Sequence, residues 1–262
     1  MKNIAGLILV CVILLSGNSS VTAQDTEYVY ISLTTERTTL KEILDAGRSG
    51  EDKSRYSIFG DWHSVFVKIT KNERRMTEKT RSALSLWISM DEDRRNLDYS
   101  RYEVEVRSGD ITMWMAINRV VRNTLFNETE AAEGVYLHLR IVGYEEDQVI
   151  MYIDSYSTMD SMGKERVLQD ALETAISFND PTESLAIIEE IRNGSQRMKW
   201  ELEETDLYVI NYVAGVSYWK LGEHERAEEH LGIAERYMHS HPEHELSLRM
   251  KEGLIKIGKD TE

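Results

Sequence analysis

His239, His241 and His244, with Glu243 and Glu245 among them, form the one cluster of metal-ligand residue types in this chain. Imidazoles two and three positions apart share an ion only if the backbone folds back on itself. Pro242 lies among them and suits the start of a helix, so the spacing predicts a turn and no metal site. Asp61-Trp62-His63-Ser64 holds the residue types of a hydrolytic triad, but such groups converge from separate segments. Gly215-Val216-Ser217-Tyr218-Trp219 lacks the closing glycine of a nucleophile elbow. There is no His-Glu-x-x-His pair, no phosphate-binding glycine loop and no dinucleotide fingerprint. Cys11 is the sole cysteine and falls in an apolar leader, which leaves no thiolate for catalysis or zinc. These residues imply a non-enzymatic protein with no catalytic residue, cofactor or metal.

Binding surfaces then become the question, and helices supply one. From about Met162 the apolar spacing is helical. Val167, Leu168, Ala171, Leu172, Ala175 and Ile176 form one stripe, and Leu185, Ile188 and Ile191 a second. Between them Asp180 suits an N-cap and Pro181 a first helical position. Ser195 is placed to cap a third helix that either runs to Lys220 or breaks near Thr205-Asp206, with a fourth from Glu223 to Met238. Pro242 opens a last one bearing Leu246, Met250, Leu254 and Ile257. Within 208–241, Gly215 is small where two helices must approach, Gly222 ends a helix, and Ala227, Leu231 and Ala234 share a face. The order Gly215, Tyr218, Gly222, Ala227, Leu231, Ala234 resembles the tetratricopeptide repeat, a helix–turn–helix unit that stacks into protein-binding surfaces. Leu231 departs from the pattern, which has an aromatic there, and Pro242 closes the unit late. The resemblance implies a protein or peptide partner, with Tyr208, Tyr212, Trp219 and Tyr237 as contacts.

The other half alternates. Leu84–Met90, Tyr102–Val106, Ile111–Ile117, Val135–Ile141 and Val149–Ile153 place apolar residues at every second position, with weaker strands at Tyr28–Leu33 and Val65–Ile69. Such alternation gives one buried and one wet face. Leu40–Ala46 reads as a short helix, while Lys71–Arg81, Asp91–Asp98 and Asn123–Glu133 read as exposed connections. The expected fold is α+β: an antiparallel β-sandwich-like domain over 24–157, then a tetratricopeptide-like helical domain over 162–258. So few repeats rarely stand alone, so the helices should pack on the sheets or pair in a homodimer. Tyr102 to Trp114 also resembles the start of a LysM module, with Ile111 inserted before Thr112. That resemblance implies the alternative function, binding of glycan or peptidoglycan by the β-rich domain.

Lys2, the apolar run Ile4–Leu15 and the small residues ending at Ala23 make residues 1–23 a signal peptide, with Gln24 first in the mature chain. The run is too short to span a membrane, so export to the periplasm or medium is expected, without membrane insertion after cleavage. A net charge of −15 repels nucleic acid. Taken together, the residues predict an exported, non-enzymatic scaffold of the cell envelope that docks a protein partner through its helices.

Overall fold

β2 (Trp62–Arg75) determines the architecture, because at 14 residues it outlasts either of its neighbours. Its first half ladders antiparallel with β5 (Gly134–Glu145), from His63↔Leu139 to Lys68↔Gly134. Its second half ladders antiparallel with β3 (Tyr99–Ser108), from Lys68↔Arg107 to Arg75↔Tyr102. Lys68 therefore belongs to both ladders. Beyond that point a bulge between Ile69 and Glu73 interrupts the β3 ladder, with Lys71 in the left-handed region at φ 61°. β3 continues into β4 (Ile111–Asn118), which meets β6 (Gln148–Thr158) in parallel, and β6 returns beside β5. The result is a closed five-stranded barrel, β2-β3-β4-β6-β5, with β1 (Thr35–Arg37) added parallel to β2.

The computed structural model describes residues 35–49, 62–90, 99–131, 133–145, 148–177, 179–195 and 197–258. The signal peptide, the strand at Tyr28–Leu33 and the connection Asp91–Asp98 lie outside them. Thr34–Glu262 form one compact unit.

A barrel replaces the expected sandwich. Period two is the same in both, since each buries alternate residues. Only the pairing of β2 with two partners separates them, and that is long-range information. A second correction concerns Leu84–Met90, which belongs to α2 (Glu78–Ser89) rather than a strand. Thr77 caps α2 by accepting from the Thr80 N–H, and Thr80, Leu84 and Trp87 bury one helical face. The alternation of that segment was incidental to a 3.6-residue stripe. Lys71–Arg81 is likewise the end of β2 and the start of α2, and Asn123–Glu133 begins inside α3 (Arg119–Glu128). Ile111–Asn118 is a strand, which removes the structural basis of the LysM resemblance.

Val67, Val106, Met115, Leu137, Leu139, Met151 and Ile153 fill the barrel, joined by Leu40 and Ile43 of α1 (Leu40–Ser49) and Leu125 of α3. α2 covers one outer patch, burying Leu84 and Trp87 against Ala116, Val142, Ile150 and Tyr152. After the short α4 (Met159–Met162) come α5 (Lys164–Ile176), α6 (Pro181–Gly194), α7 (Glu204–Lys220), α8 (His224–Ser240) and α9 (Glu245–Lys256). Asp180 caps α6 and Pro181 opens it, as the spacing predicts. Ser195 is the C-cap of α6, its N–H donating to the Ile191 carbonyl, and starts no helix of its own, because α7 begins at Glu204 with a capping box between Glu203 and Asp206. Pro242 lies in the turn before α9, whose cap is His244.

These helices share one core with two outward residues of the barrel, Phe66 and Tyr136. A fragment of residues 161–262 exposes the α5–α6 face that those rings cover. It is expected to be partly unfolded or self-associated, measured by circular dichroism melting and sedimentation. A monomer with a cooperative melt would show that the helices are self-sufficient.

Candidate functional site

The join between barrel and helices is polar at its centre. Arg37, at the end of β1, donates through Nε to Asp170 Oδ1 at 2.6 Å and through Nη2 to Asp170 Oδ2 at 3.1 Å. Nη2 also reaches Glu183 Oε1 at 2.6 Å. Tyr136 donates its hydroxyl to Asp170 Oδ2 at 2.6 Å, and Ser108 donates to Glu183 Oε2 at 2.7 Å. Asp170 on α5 and Glu183 in the first turn of α6 thus bind β1, β5 and the β3–β4 turn. Their side chains are 2% and 0% exposed. Burial pushes the Glu183 carboxyl up to about 7, against the pull of Arg37 and Ser108. Burial also disfavours the Arg37 cation, but Asp170 and Glu183 more than offset this and hold its pKa above the ordinary value. Gly109, at φ +54°, lets the β3–β4 turn seat on α6. A Cβ there would lie 2.7 Å from Thr182 Cγ2.

Two cavities flank that contact. A groove of about 610 Å³ runs between the β2–β3 side of the barrel and helices α6 and α7. Phe66, Leu185, Ile188 and Ala214 give it an apolar lining. Lys68, paired with Glu189 at 2.9 Å, and Arg107, Asp110 and Arg192 supply its charges. Tyr218 closes one side, held between the Arg226 guanidinium, 4.0 Å from its ring centroid, and the stacked ring of His230. The second cavity, about 940 Å³, lies over β3, β4, the start of β6 and α1. Glu103 is buried at its edge, accepting from Arg74 at 2.7 Å and Thr80 at 2.6 Å. Arg74 also covers the Trp114 ring at 4.6 Å.

The four partner-contact residues expected from the sequence do not gather in either cavity. Tyr212 is fully buried, its hydroxyl donating to the Met250 carbonyl, and Tyr237 is 4% exposed. Tyr208 packs on Tyr237, and Trp219 packs edge-on to His224; both are half-buried. The repeat-like positions do come together. Gly215, Ala227, Leu231 and Ala234 are buried between α7 and α8, and Gly222 takes φ +78° in their turn. The histidines are spent locally. His239 bonds the Glu235 carbonyl, His241 stacks on Tyr237, and His244 accepts from the Leu246 N–H. Among the described residues no group of three His, Cys, Asp or Glu side chains is placed to hold a metal ion. His63 and Ser64 are adjacent on β2, whose successive side chains point to opposite faces, and Asp61 lies outside the described residues.

Sequence reasoning missed Arg37, Asp170 and Glu183. Nothing local marks them, since 146 positions separate Arg37 from Glu183. Comparison of the chain with known protein families, curated proteins and solved structures finds no match.

His138 on β5 gives the protein an opposing acid response. Its Nε2 meets Ser157 Oγ at 2.9 Å, and its Nδ1 is buried without a partner among the described residues. Burial pulls its pKa down to about 4. Below pH ~6.5 the unfolded chain binds a proton that folded His138 refuses, so stability is lost as pH falls from there toward 4. Glu183 acts the other way. Its folded pKa lies above the ordinary ~4.5, so its contribution is complete below that value and is lost as pH rises toward 7. Urea melts from pH 4 to 8 should show His138→Gln flattening the acid limb and Glu183→Gln the neutral limb. Unchanged slopes in both variants would refute the assignment.

Proposed function

We propose that the protein is an exported, non-catalytic docking protein, and that a segment of its partner lies in the groove between barrel and helices. The observation that carries this is the composite lining. Apolar residues of β2, α6 and α7 form one trough with charges at its edges, and the two walls are locked by the Arg37–Asp170–Glu183 join. A groove built before binding loses little ordering entropy on capture. The α7–α8 hairpin supports the reading as a tetratricopeptide-like unit, the type of element that presents such faces. Export follows from the leader and supplies the envelope as the place of action. Trp114 does not favour glycan binding, because Arg74 occupies one face of the ring that a sugar would stack on.

The test is quantitative. Leu185 is half-buried in the groove and Arg192 is exposed there. A captured partner should bind Leu185→Asp or Arg192→Glu at least about tenfold more weakly, the effect expected when a central anchor residue is removed. Trp219→Ser, outside the groove, should change affinity much less. Equal binding by all three variants would place the partner elsewhere.

A further inference from the structure

A closed barrel needs every strand to ladder on both edges, and one seam here does so over only two residue pairs. β4 ladders with β3 from Ser108↔Ile111 to Tyr99↔Asn118. β6 ladders with β5 along its whole length, from Glu145↔Gln148 to Val135↔Thr158. Between β4 and β6 the pairing is parallel and stops after two partners, Ala116↔Tyr152 and Ile117↔Ile153. Carried back four residues, that register sets Thr112 opposite Gln148 and Met115 opposite Met151, yet no ladder joins them. Among the described residues, Thr112–Met115 and Gln148–Met151 therefore each have one edge, the one away from β3 or β5, that no ladder covers. The 940 Å³ cavity opens over this seam, with Thr112, Met113 and Trp114 on one side and Gln148, Val149 and Ile150 on the other.

Unpaired strand edges recognise one kind of ligand, an extended backbone. We propose that the β4–β6 seam takes up an extended peptide segment of a partner protein as an added strand, antiparallel to both edges. Antiparallel pairing is the stronger form, and because β4 and β6 run parallel, one added strand can run antiparallel to both, entering at the Thr112 and Gln148 end and stopping where Ala116↔Tyr152 closes the seam. The side-chain requirement follows from the pleat. Met113, Val149 and Met151 face the barrel core, so alternate residues of the peptide must be apolar. Thr112 and Gln148 are exposed, and Arg74 lies on the outer side, so the intervening residues are polar. The site is separate from the groove between barrel and helices, and neither proposal depends on the other.

The experiment uses the mature protein and a displayed library of random seven-residue peptides. Selected peptides should show apolar residues at every second position. In hydrogen–deuterium exchange, those amides of Thr112–Met115 and Gln148–Met151 that point away from β3 and β5 should exchange readily in the free protein and at least tenfold more slowly with peptide bound. N-methylation of alternate peptide amides should weaken binding at least tenfold, whereas Leu185→Asp with Arg192→Glu in the groove should leave it unchanged. The proposal is overturned by selection of no alternating sequence, or by binding that tolerates N-methylation. It is equally overturned if these seam-facing amides are as protected in the free protein as their neighbours that point into the β3–β4 and β5–β6 ladders. Protection by an N-acetylglucosamine tetramer in place of peptide would also overturn it and assign the seam to glycan.

Discussion

Arg37→Leu is expected to lower stability at pH 7.5 by about 3–5 kcal/mol, the loss seen when one partner leaves a buried ion cluster. Asp170 and Glu183 are almost fully buried, and Arg37 is the cation that both carboxylates contact. Without it, Ser108 and Tyr136 still donate hydrogen bonds, but two like charges face each other away from water. The loss should shrink at pH 5. Burial already holds the Glu183 pKa near 7, so a proton can neutralise it there at small cost. Denaturant titrations at the two pH values check this. A loss below about 1 kcal/mol, or one independent of pH, would show that the cluster adds little net stability.

Gly215→Leu is the second large effect. A Cβ at Gly215 would lie 2.5 Å from Leu231 Cγ and 3.0 Å from the Leu231 backbone nitrogen. The side chain of Leu231 can turn away, but its backbone cannot move without shifting α8. Overpacking of this kind costs about 1–3 kcal/mol, and a full leucine lies at the upper end or beyond. Gly215→Ala sets a smaller clash against a gain of about 1 kcal/mol in helix propensity, so its net change should be smaller and still negative. Thermal melts of both variants decide it. A Gly215→Leu melt at or above wild type would mean that α7 and α8 separate at no cost, and the repeat-like reading of the pair would fail.

Local chemistry made the helices legible. Asp180 and Pro181 announced α6, and Gly215 with Leu231 and Ala234 announced the α7–α8 contact, because caps and stripes act within a few residues. The barrel strands were legible one by one, and their arrangement was not. Alternation states which face of a strand is dry, while closure depends on β2 reaching both β3 and β5. Leu84–Met90 failed for a related reason. Leu84, Leu86 and Ile88 satisfy a period of two, yet Leu84 and Trp87 also satisfy a helix, and the Thr77 cap decides between them. Of the candidate site, Leu185 and Ile188 were visible beforehand as a helix stripe and Tyr218 as part of the repeat-like order. Lys68, Leu185 and Arg192 become neighbours only when the helices dock, which no spacing in the sequence encodes.

The two ladders meeting at Lys68 also bear on the speed of folding. β3 and β4 follow one another across the turn at Gly109 and can zip as a local hairpin. The first half of β2 must wait for a partner that is synthesised far later, as in Val65↔Leu137 and Phe66↔Tyr136. Forming such pairs means closing a long loop before any contact repays it, and chains dominated by distant pairs fold slowly. Until then half of the longest strand is an open template for any other chain in the extended state. The rate at which residues 134–139 find residues 63–68 therefore governs both how fast the barrel closes and how long the newly made chain is exposed to aggregation.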